Sequence, residues 1–562
     1  AKRHNGGEVG SCPGFKNPEV AMRDLMDRLR VVGAVLLMVG SSGAVWCQDA
    51  DTDGAAVQLR FVAAPAAESG LTHVANSEPR WGAMKYMWMS PPVDIDGDGH
   101  LDLLLYGHHG GGAAVWLGKG DGTFTLDERG YQQRWVFGAR DPVWWDRSGR
   151  GAVDGLGTEG AGVSGFLFVN DGTGHWRKTA AAIPEAGYGS FQLADLNGDG
   201  WHREIFLSGR GAALRPNLPP ADWADVLPKS LHFEEDWTAE QLVGWPKQVE
   251  LGRGPARSGY RDAYAVDLTG DHQNELILHL RGSGFSSPQL YSWVLTRSVT
   301  ADGGFVWKDT TAERGLPTDE GHWLFPEDVD VDGHLDLVDL HTGHWYRNDG
   351  KGRFTVSPHR VFDPKNRTLA GKKGHPWTTD NELQWLDLDN NGFRDLVTAS
   401  DHGSENGVFL NLGGGRFVEV AGVPGNRRNR KFGDLTGNQR LDMVALVQNQ
   451  LVLHRNETPL GGLHIRLEPR EPADVHLGAK VWVYRAGQLG EAAGLLHYRQ
   501  GFMERDAGRS TVLTPLLHVG LGQAEAADVR VRFSSGVIRE VRGVKAGTRV
   551  VVREAEGERQ SQ

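Results

Sequence analysis

Carboxylates recur along this 562-residue chain at a spacing that suits a hard cation. The sharpest copy places Asp94, Asp96, Asp98 and Asp102 at positions 1, 3, 5 and 9 of a short loop, with Gly99 at position 6. Oxygen donors wrapped that closely, with a backbone carbonyl at position 7, hold an ion at about 2.3–2.6 Å, which is Ca²⁺ chemistry and not the nitrogen and sulfur chemistry of zinc. The pattern returns as Asp328, Asp330, Asp332 and Asp336, and again as Asp387, Asp389, Asn391 and Asp395. Oxygen-bearing variants follow at Asp267, Thr269, Asp271 and Glu275, at Asp434, Thr436, Asn438 and Asp442, and at Asp195, Asn197 and Asp199, where Glu204 stands one residue late. A further copy, Asp146, Ser148, Arg150, Gly151 and Asp154, carries its own cation and is expected to be metal-free.

The copies at Asp94 and Asp328 have four carboxylates each and are expected to bind tightest. Gly99, Gly333 and Gly392 at position 6 supply the left-handed backbone of a tight turn, whereas His272 and Gln439 take that position with strain of about 1 kcal/mol. The ions are expected to be structural, since like charges crowded in one loop repel until a cation neutralises them and binding then stabilises the fold by mass action.

Elements that could carry such loops are legible around them. First aspartates at 94, 146, 195, 267, 328, 387 and 434 are separated by 52, 49, 72, 61, 59 and 47 residues. Each loop is left by an apolar strand such as Leu103–Tyr106 or Leu337–Leu340, then another strand, then a Gly- and Asp-rich hairpin such as Asn348-Asp349-Gly350-Lys351-Gly352. A four-strand unit of that length is a propeller blade, and seven copies predict an all-β, seven-bladed propeller over residues 48–458. The last copy lacks a fourth strand, and the segment near 57–62 is expected to supply it and close the ring, removing two sheet edges.

Composition narrows the function. A formal net charge of −12 argues against nucleic-acid capture by counterion release. The two cysteines, Cys12 and Cys47, precede the globular region, so no disulfide staples it. Residues 1–47, with Arg28 and Arg30 ahead of the apolar run Val31–Val39, are expected to be a signal peptide preceded by upstream read-through, with lipidation at Cys47 the lesser alternative. The run is too short for a comfortable membrane span. A secreted, periplasmic or cell-surface location follows. Residues 459–555 alternate apolar and charged side chains, as at Val529, Arg530, Val531, Arg532 and Phe533, predicting a small C-terminal β-sandwich or barrel before a disordered 556–562.

The loops, with Gly-Arg-Phe strands at 352–354 and 415–417, resemble the FG-GAP or VCBS repeats of integrin-α-type propellers. Leu477-Gly478-Ala479-Lys480-Val481, His518-Val519-Gly520-Leu521-Gly522 and Val529–Gly536 resemble the signature stretches of an ASPIC/UnbV domain. Together they are similar to the cartilage acidic protein family, which implies calcium binding and extracellular interaction. Val519 and Phe533-Ser534-Ser535 depart mildly from that family's pattern.

On the face opposite the loops, His108, His109, Arg210, Arg281, His322, His341, His344, Asp401 and His402 are candidate binding groups. An interaction or adhesion module for a protein or glycan is the first reading. The alternative is a carbohydrate-active lyase or hydrolase using those groups, which requires them to converge.

Overall fold

The computed structural model describes residues 45–46 and, with interruptions, 59–555; the longest interruptions are 72–86, 128–142, 208–248 and 364–381. Most of residues 1–47, the tail 556–562, and His108, His109, Asp195, Asn197, Asp199, Arg210, Ser148, Arg150, Asp401 and His402 lie outside the described residues.

Alternation of apolar residues between tight turns gives short antiparallel strands, and the chain is nearly all β. Met87–Met89, Leu103–Gly107, Ala113–Gly118 and Phe124–Asp127 form one sheet in chain order. The same order holds for the sheet Val143–Trp145 to Trp176–Pro184, for Gly259–Val266 to Phe305–Asp309, for Leu324–Glu327 to Phe354–Arg360, and for Glu382–Leu386 to Phe417–Glu419. Between the second and the Gly259 sheets, Phe191–Ala194 pairs with Glu204–Leu207. That sheet has two strands among the described residues.

The last sheet carries Arg430–Gly433, Asp442–Val447 and Gln450–Asn456, and its next strand is Arg60–Ala63 from the other end of the chain. Phe61 is buried there at 6.2 Å from the Phe432 ring. The first and last sheets also meet directly: Leu103, Leu105 and Trp116 share a core with Leu435, Val444 and Leu453, and the Gly122 N–H donates to the Leu435 carbonyl at 2.8 Å. Apolar cores run from the first sheet into the second, from the Gly259 sheet through the Leu324 and Glu382 sheets into the last, and from the last back to the first, the arrangement of a β-propeller.

A repeated side-chain device joins neighbouring sheets. The Asn348 amide donates to the carbonyl of Leu335 in its own sheet and to that of Leu268 in the preceding one, both at 2.8 Å. Asn170 reaches Ile95, Asn411 reaches Val329 and Asn456 reaches Leu388 in the same way, at 2.7–2.9 Å. Each staple satisfies a carbonyl at the second position of a neighbouring acidic loop, where no strand partner is available. The first sheet has Gly118 at this place, and a Cβ there would lie 2.2 Å from the Leu101 oxygen.

Beyond the last sheet the chain folds into two facing sheets. One orders Leu516–Gly520, Gly462–Glu468 and Arg549–Arg553; the other orders Leu495–Gln500, Lys480–Arg485, Ala526–Arg532 and Ile538–Lys545. Leu463, Ile465, Val481, Val519, Val529 and Val531 are buried between them, as the period-2 pattern requires. The hairpin Met503–Asp506 and Ser510–Leu513 leaves this sandwich. Its second strand runs parallel to Val143–Trp145, the first strand of the second sheet, and its first strand lies beside Glu382–Leu386, the first strand of the Glu382 sheet. The tail therefore bridges first strands from separate parts of the ring.

Replacing Asn348 by Ala should cost about 2–4 kcal/mol, because it leaves two buried carbonyls and the Gly350 and Gly352 N–H groups without their partner. Urea unfolding of the full chain measures this, and a loss below about 0.5 kcal/mol would remove the stapling role.

Candidate metal centres

Among the described loops the first aspartate curls the backbone around its own carboxylate. Asp94 accepts from the N–H groups of Gly97 and Gly99 at 2.8 and 2.9 Å, Asp328 from Asp332 and Gly333 at 3.1 and 3.0 Å, and Asp434 from Asn438 and Gln439 at 3.0 and 2.9 Å. Left-handed backbone is needed at position 6, where His272 has φ 70° and Gln439 has φ 56°, but also at position 4. Gly97, Gly270 and Gly437 provide it freely there, while Asn390 (φ 58°) and β-branched Val331 (φ 57°) are forced into it. Position 4 was not read from the sequence, although glycine stands there in five of the seven copies.

The ninth residue does a different job. Asp102 takes the Ile95 N–H on one oxygen at 2.7 Å and the Gly118 N–H on the other at 2.7 Å. Asp336, Asp395 and Asp442 repeat both bonds at 2.8–3.2 Å, tying the loop to the end of the third strand. Glu275 binds the Leu268 N–H at 2.8 Å. These carboxylates hold the blade together, and an oxygen that takes a single N–H keeps a second lone pair for an ion.

In three loops the carboxylates converge. Asp94, Asp96 and Asp102 bring one oxygen each within 4.8 Å of one another; so do Asp328, Asp330 and Asp332, and Asp387, Asp389 and Asp395. The third group is almost wholly buried. Burial, then repulsion among the acids, pushes Asp328, Asp387 and Asp395 well above the usual carboxylate range. Burial likewise raises Asp94 to about 6, Asp389 and Asp442 to about 7, and Asp102 and Asp336 to about 8. The Asp387 Oδ1 atom and the Asp330 Oδ1 atom are buried with no donor facing them. Oxygen clusters in this state fit a divalent cation, which would supply the missing positive charge.

The loop at Asp267 has found its charge in the protein. Lys480 of the sandwich, only 5% exposed at its side chain, pairs with Asp267, and its ammonium lies 3.2 Å from His272 Nδ1. Arg314 closes on Glu275 at 2.8 Å. Burial opposes ionisation of Asp267, but Lys480 and the loop N–H groups outweigh it and hold the carboxyl below its ordinary value. Thr269 donates weakly to Asp267, at 3.4 Å, and the Asp271 carboxylate takes the Gln273 N–H at 2.8 Å. Neither Lys480 nor Arg314 was singled out from the sequence as an ion substitute; a lysine on a buried strand was the only signal. Arg347 similarly spans Asp330 and Asp332 at 2.6 and 3.1 Å, from an exposed position. In the Asp434 loop Thr436 donates to Asp442 at 2.8 Å, and in the Asp387 loop Asn391 donates to Asp389 at 3.2 Å.

The sandwich sits on this loop face. The Gly520 N–H donates to Asp387 at 3.0 Å, His518 bonds Asn390 at 2.8 Å, Gln500 donates to Asn274 at 3.2 Å, and His464 lies 3.7 Å from Asp434. Away from it, His322 Nδ1 meets the buried Asp339 at 2.7 Å, and Thr342 donates to the same oxygen at 2.6 Å. Burial disfavours the His322 cation, yet Asp339 outweighs it and raises its pKa. Burial lowers His341 and His344, whose Nδ1 atoms have no partner. These three histidines share one sheet. Arg281 ends a strand of the preceding one.

Among the described residues no helix is long and apolar enough to cross a membrane. The FG-GAP-like repeat family matches residues 387–457 and the ASPIC and UnbV family matches residues 472–559. No curated protein matches the chain significantly. Among solved structures, the Photorhabdus luminescens Tc holotoxin pore is similar at 16% identity over 74% of this chain and 16% of that one, with a TM-score of 0.28. Puromycin hydrolase is similar at 14% identity over 71% and 55%, with a TM-score of 0.30. Penicillium chrysogenum α-L-arabinanase is similar at 10% over 66% and 97%, with a TM-score of 0.24. The chain thus spans about half or less of the first two. With its all-β sheets and acidic loops in place, the chain joins an FG-GAP-like β-propeller to a C-terminal ASPIC and UnbV domain.

Proposed function

We propose that this is an exported interaction module whose propeller is held by structural Ca²⁺ ions in the loops that begin at Asp94, Asp328 and Asp387, and whose opposite face grips a protein or glycan. The observation that carries the ion reading is the three groups of converging, partly or wholly buried carboxylates. Oxygen-only donor sets favour Ca²⁺ over softer metals. The Asp434 loop, with fewer carboxylates and a histidine beside it, is the weaker site, and at Asp267 the Lys480 ammonium stands in for an ion. FG-GAP-like repeats support the interaction reading. A carbohydrate-active enzyme would need the candidate groups of that opposite face to meet from several sheets, and those of them that meet among the described residues, His322, His341 and His344, belong to one sheet.

A chelator should lower the melting temperature of the full chain, since an ion at 100 times its dissociation constant contributes about 2.7 kcal/mol per site. Asp328→Ala should lower the melting temperature in Ca²⁺ more than Asp434→Ala; equal losses would contradict the ranking by carboxylate number.

The metal-free protein should also respond to pH. Its buried carboxyls keep their protons to higher pH than the unfolded chain does, with values of about 6, 7 and 8 at Asp94, Asp389 and Asp102. Their contribution is complete at acid pH and is lost as pH rises through those values. In chelator the melting temperature should therefore fall between about pH 5 and pH 8, and Ca²⁺ should flatten the decline; a rise over that window would contradict it.

A further inference from the structure

A cavity of about 330 Å³ lies between the sandwich and the loop face. Its roof is the outer face of the three-stranded sheet. There the register sets His518, His464 and Arg549 side by side across the three strands, with Arg466 two residues along from His464. The neighbours Leu463, Ile465 and Leu467 point the other way into the sandwich core, so alternation alone puts every roof cation on the cavity side. Arg394 and Arg499 also line the cavity. Its floor is Asp94, Asp387 and Asp434, and Trp385 and Phe432 form an apolar wall.

The charges in this roof are not balanced. Arg394 is paired with Glu327 at 2.7 Å, and among the described residues Arg466 has one loose ion contact of 3.8 Å, with Glu468, which Arg553 holds at 2.7 Å. Arg549 makes no ion pair among the described residues. Arg549 stays open to water at the cavity mouth, and partial loss of hydration first, then the Arg466 cation, lower it below its usual value against weaker pulls from Asp94, Asp434 and Glu468. The register sets Arg466 and Arg549 diagonally on one face, and since a guanidinium cannot shed its proton, the two forks together offer a place to an oxyanion between them. The floor aspartates are engaged first by their own loops: Asp94 and Asp434 take N–H groups on both oxygens and Asp387 takes them on one.

We infer that this cavity is a binding site for a small organic oxyanion, a carboxylate or phosphate group held by Arg466 and Arg549 with its apolar portion against Trp385 and Phe432. Planar forked donors match both groups, and the volume suits a small ligand. The inference rests in part on the ion reading, since Ca²⁺ in the floor loops removes the negative charge that would repel the ligand.

The test is titration calorimetry of the full chain with inorganic phosphate, with D-galacturonate and with neutral galactose, in Ca²⁺ and in chelator. Saturable binding of phosphate or galacturonate in Ca²⁺, absent for galactose and weakened at least tenfold in Arg549→Gln, is expected. Phosphate binding alone would identify a phosphate site and galacturonate binding alone a carboxylate site. Arg542→Gln, which changes an exposed arginine of the other sheet, should bind as the unmodified protein does. Arg549→Lys, which keeps the charge and loses the fork, should fall between, and it stands in should Arg549→Gln not fold. Binding of neither anion, equal binding of galactose, or unchanged affinity in both Arg549 variants would overturn the inference. If the chelator still lowers the melting temperature in the absence of anion, the ion reading survives that failure.

Discussion

The charge collected in the acidic loops is the constraint to which the other features answer. Asp387, Asp389 and Asp395 are almost wholly buried together, and carboxylates taken out of water must be protonated, paired or metal-bound. Several solutions coexist in one ring. Backbone N–H groups surround the first and ninth residues of the described loops. Lys480 and Arg314 bring cations to the Asp267 loop. Where neither suffices, in the Asp94, Asp328 and Asp387 loops, the clusters have the form of a cation cage.

This constraint also explains the placement of the tail. A sandwich that only extended the chain would need no polar partners on the loops, yet it contributes Lys480 to Asp267, the Gly520 N–H to Asp387 and His518 to Asn390. The loop face is thus an internal interface as well as a set of candidate metal centres. A buried pair such as Lys480 with Asp267 gives orientation more than net stability, because desolvation offsets much of the attraction. The same docking sets Arg466 and Arg549 on the cavity side of the sandwich, facing the acidic loops.

Much of this was legible in the sequence because the signals are local. A carboxylate every second residue, a glycine at position 6 and an apolar strand afterwards fix each loop within about a dozen residues, and alternation at Val529–Phe533 marks a half-buried strand. What was not legible is long-range. Lys480 meets Asp267 across 213 positions and Asn411 meets Val329 across 82, and nothing in either segment names its partner. The left-handed position 4 was obscured because Val331 and Asn390 stand where glycine stands elsewhere. The candidate groups of the opposite face fared differently. His322, His341 and His344 meet around Asp339 within one sheet, a juxtaposition that their sequence proximity allows but does not demand.

Calcium stoichiometry tests the central claim most directly. Equilibrium dialysis of the full chain against Ca²⁺ should show several ions bound per molecule, with one lost in Asp328→Asn, one lost in Asp387→Asn and none lost in Asp267→Asn, where Lys480 already supplies the charge. No Ca²⁺ uptake, or the loss of an ion in Asp267→Asn, would contradict the account.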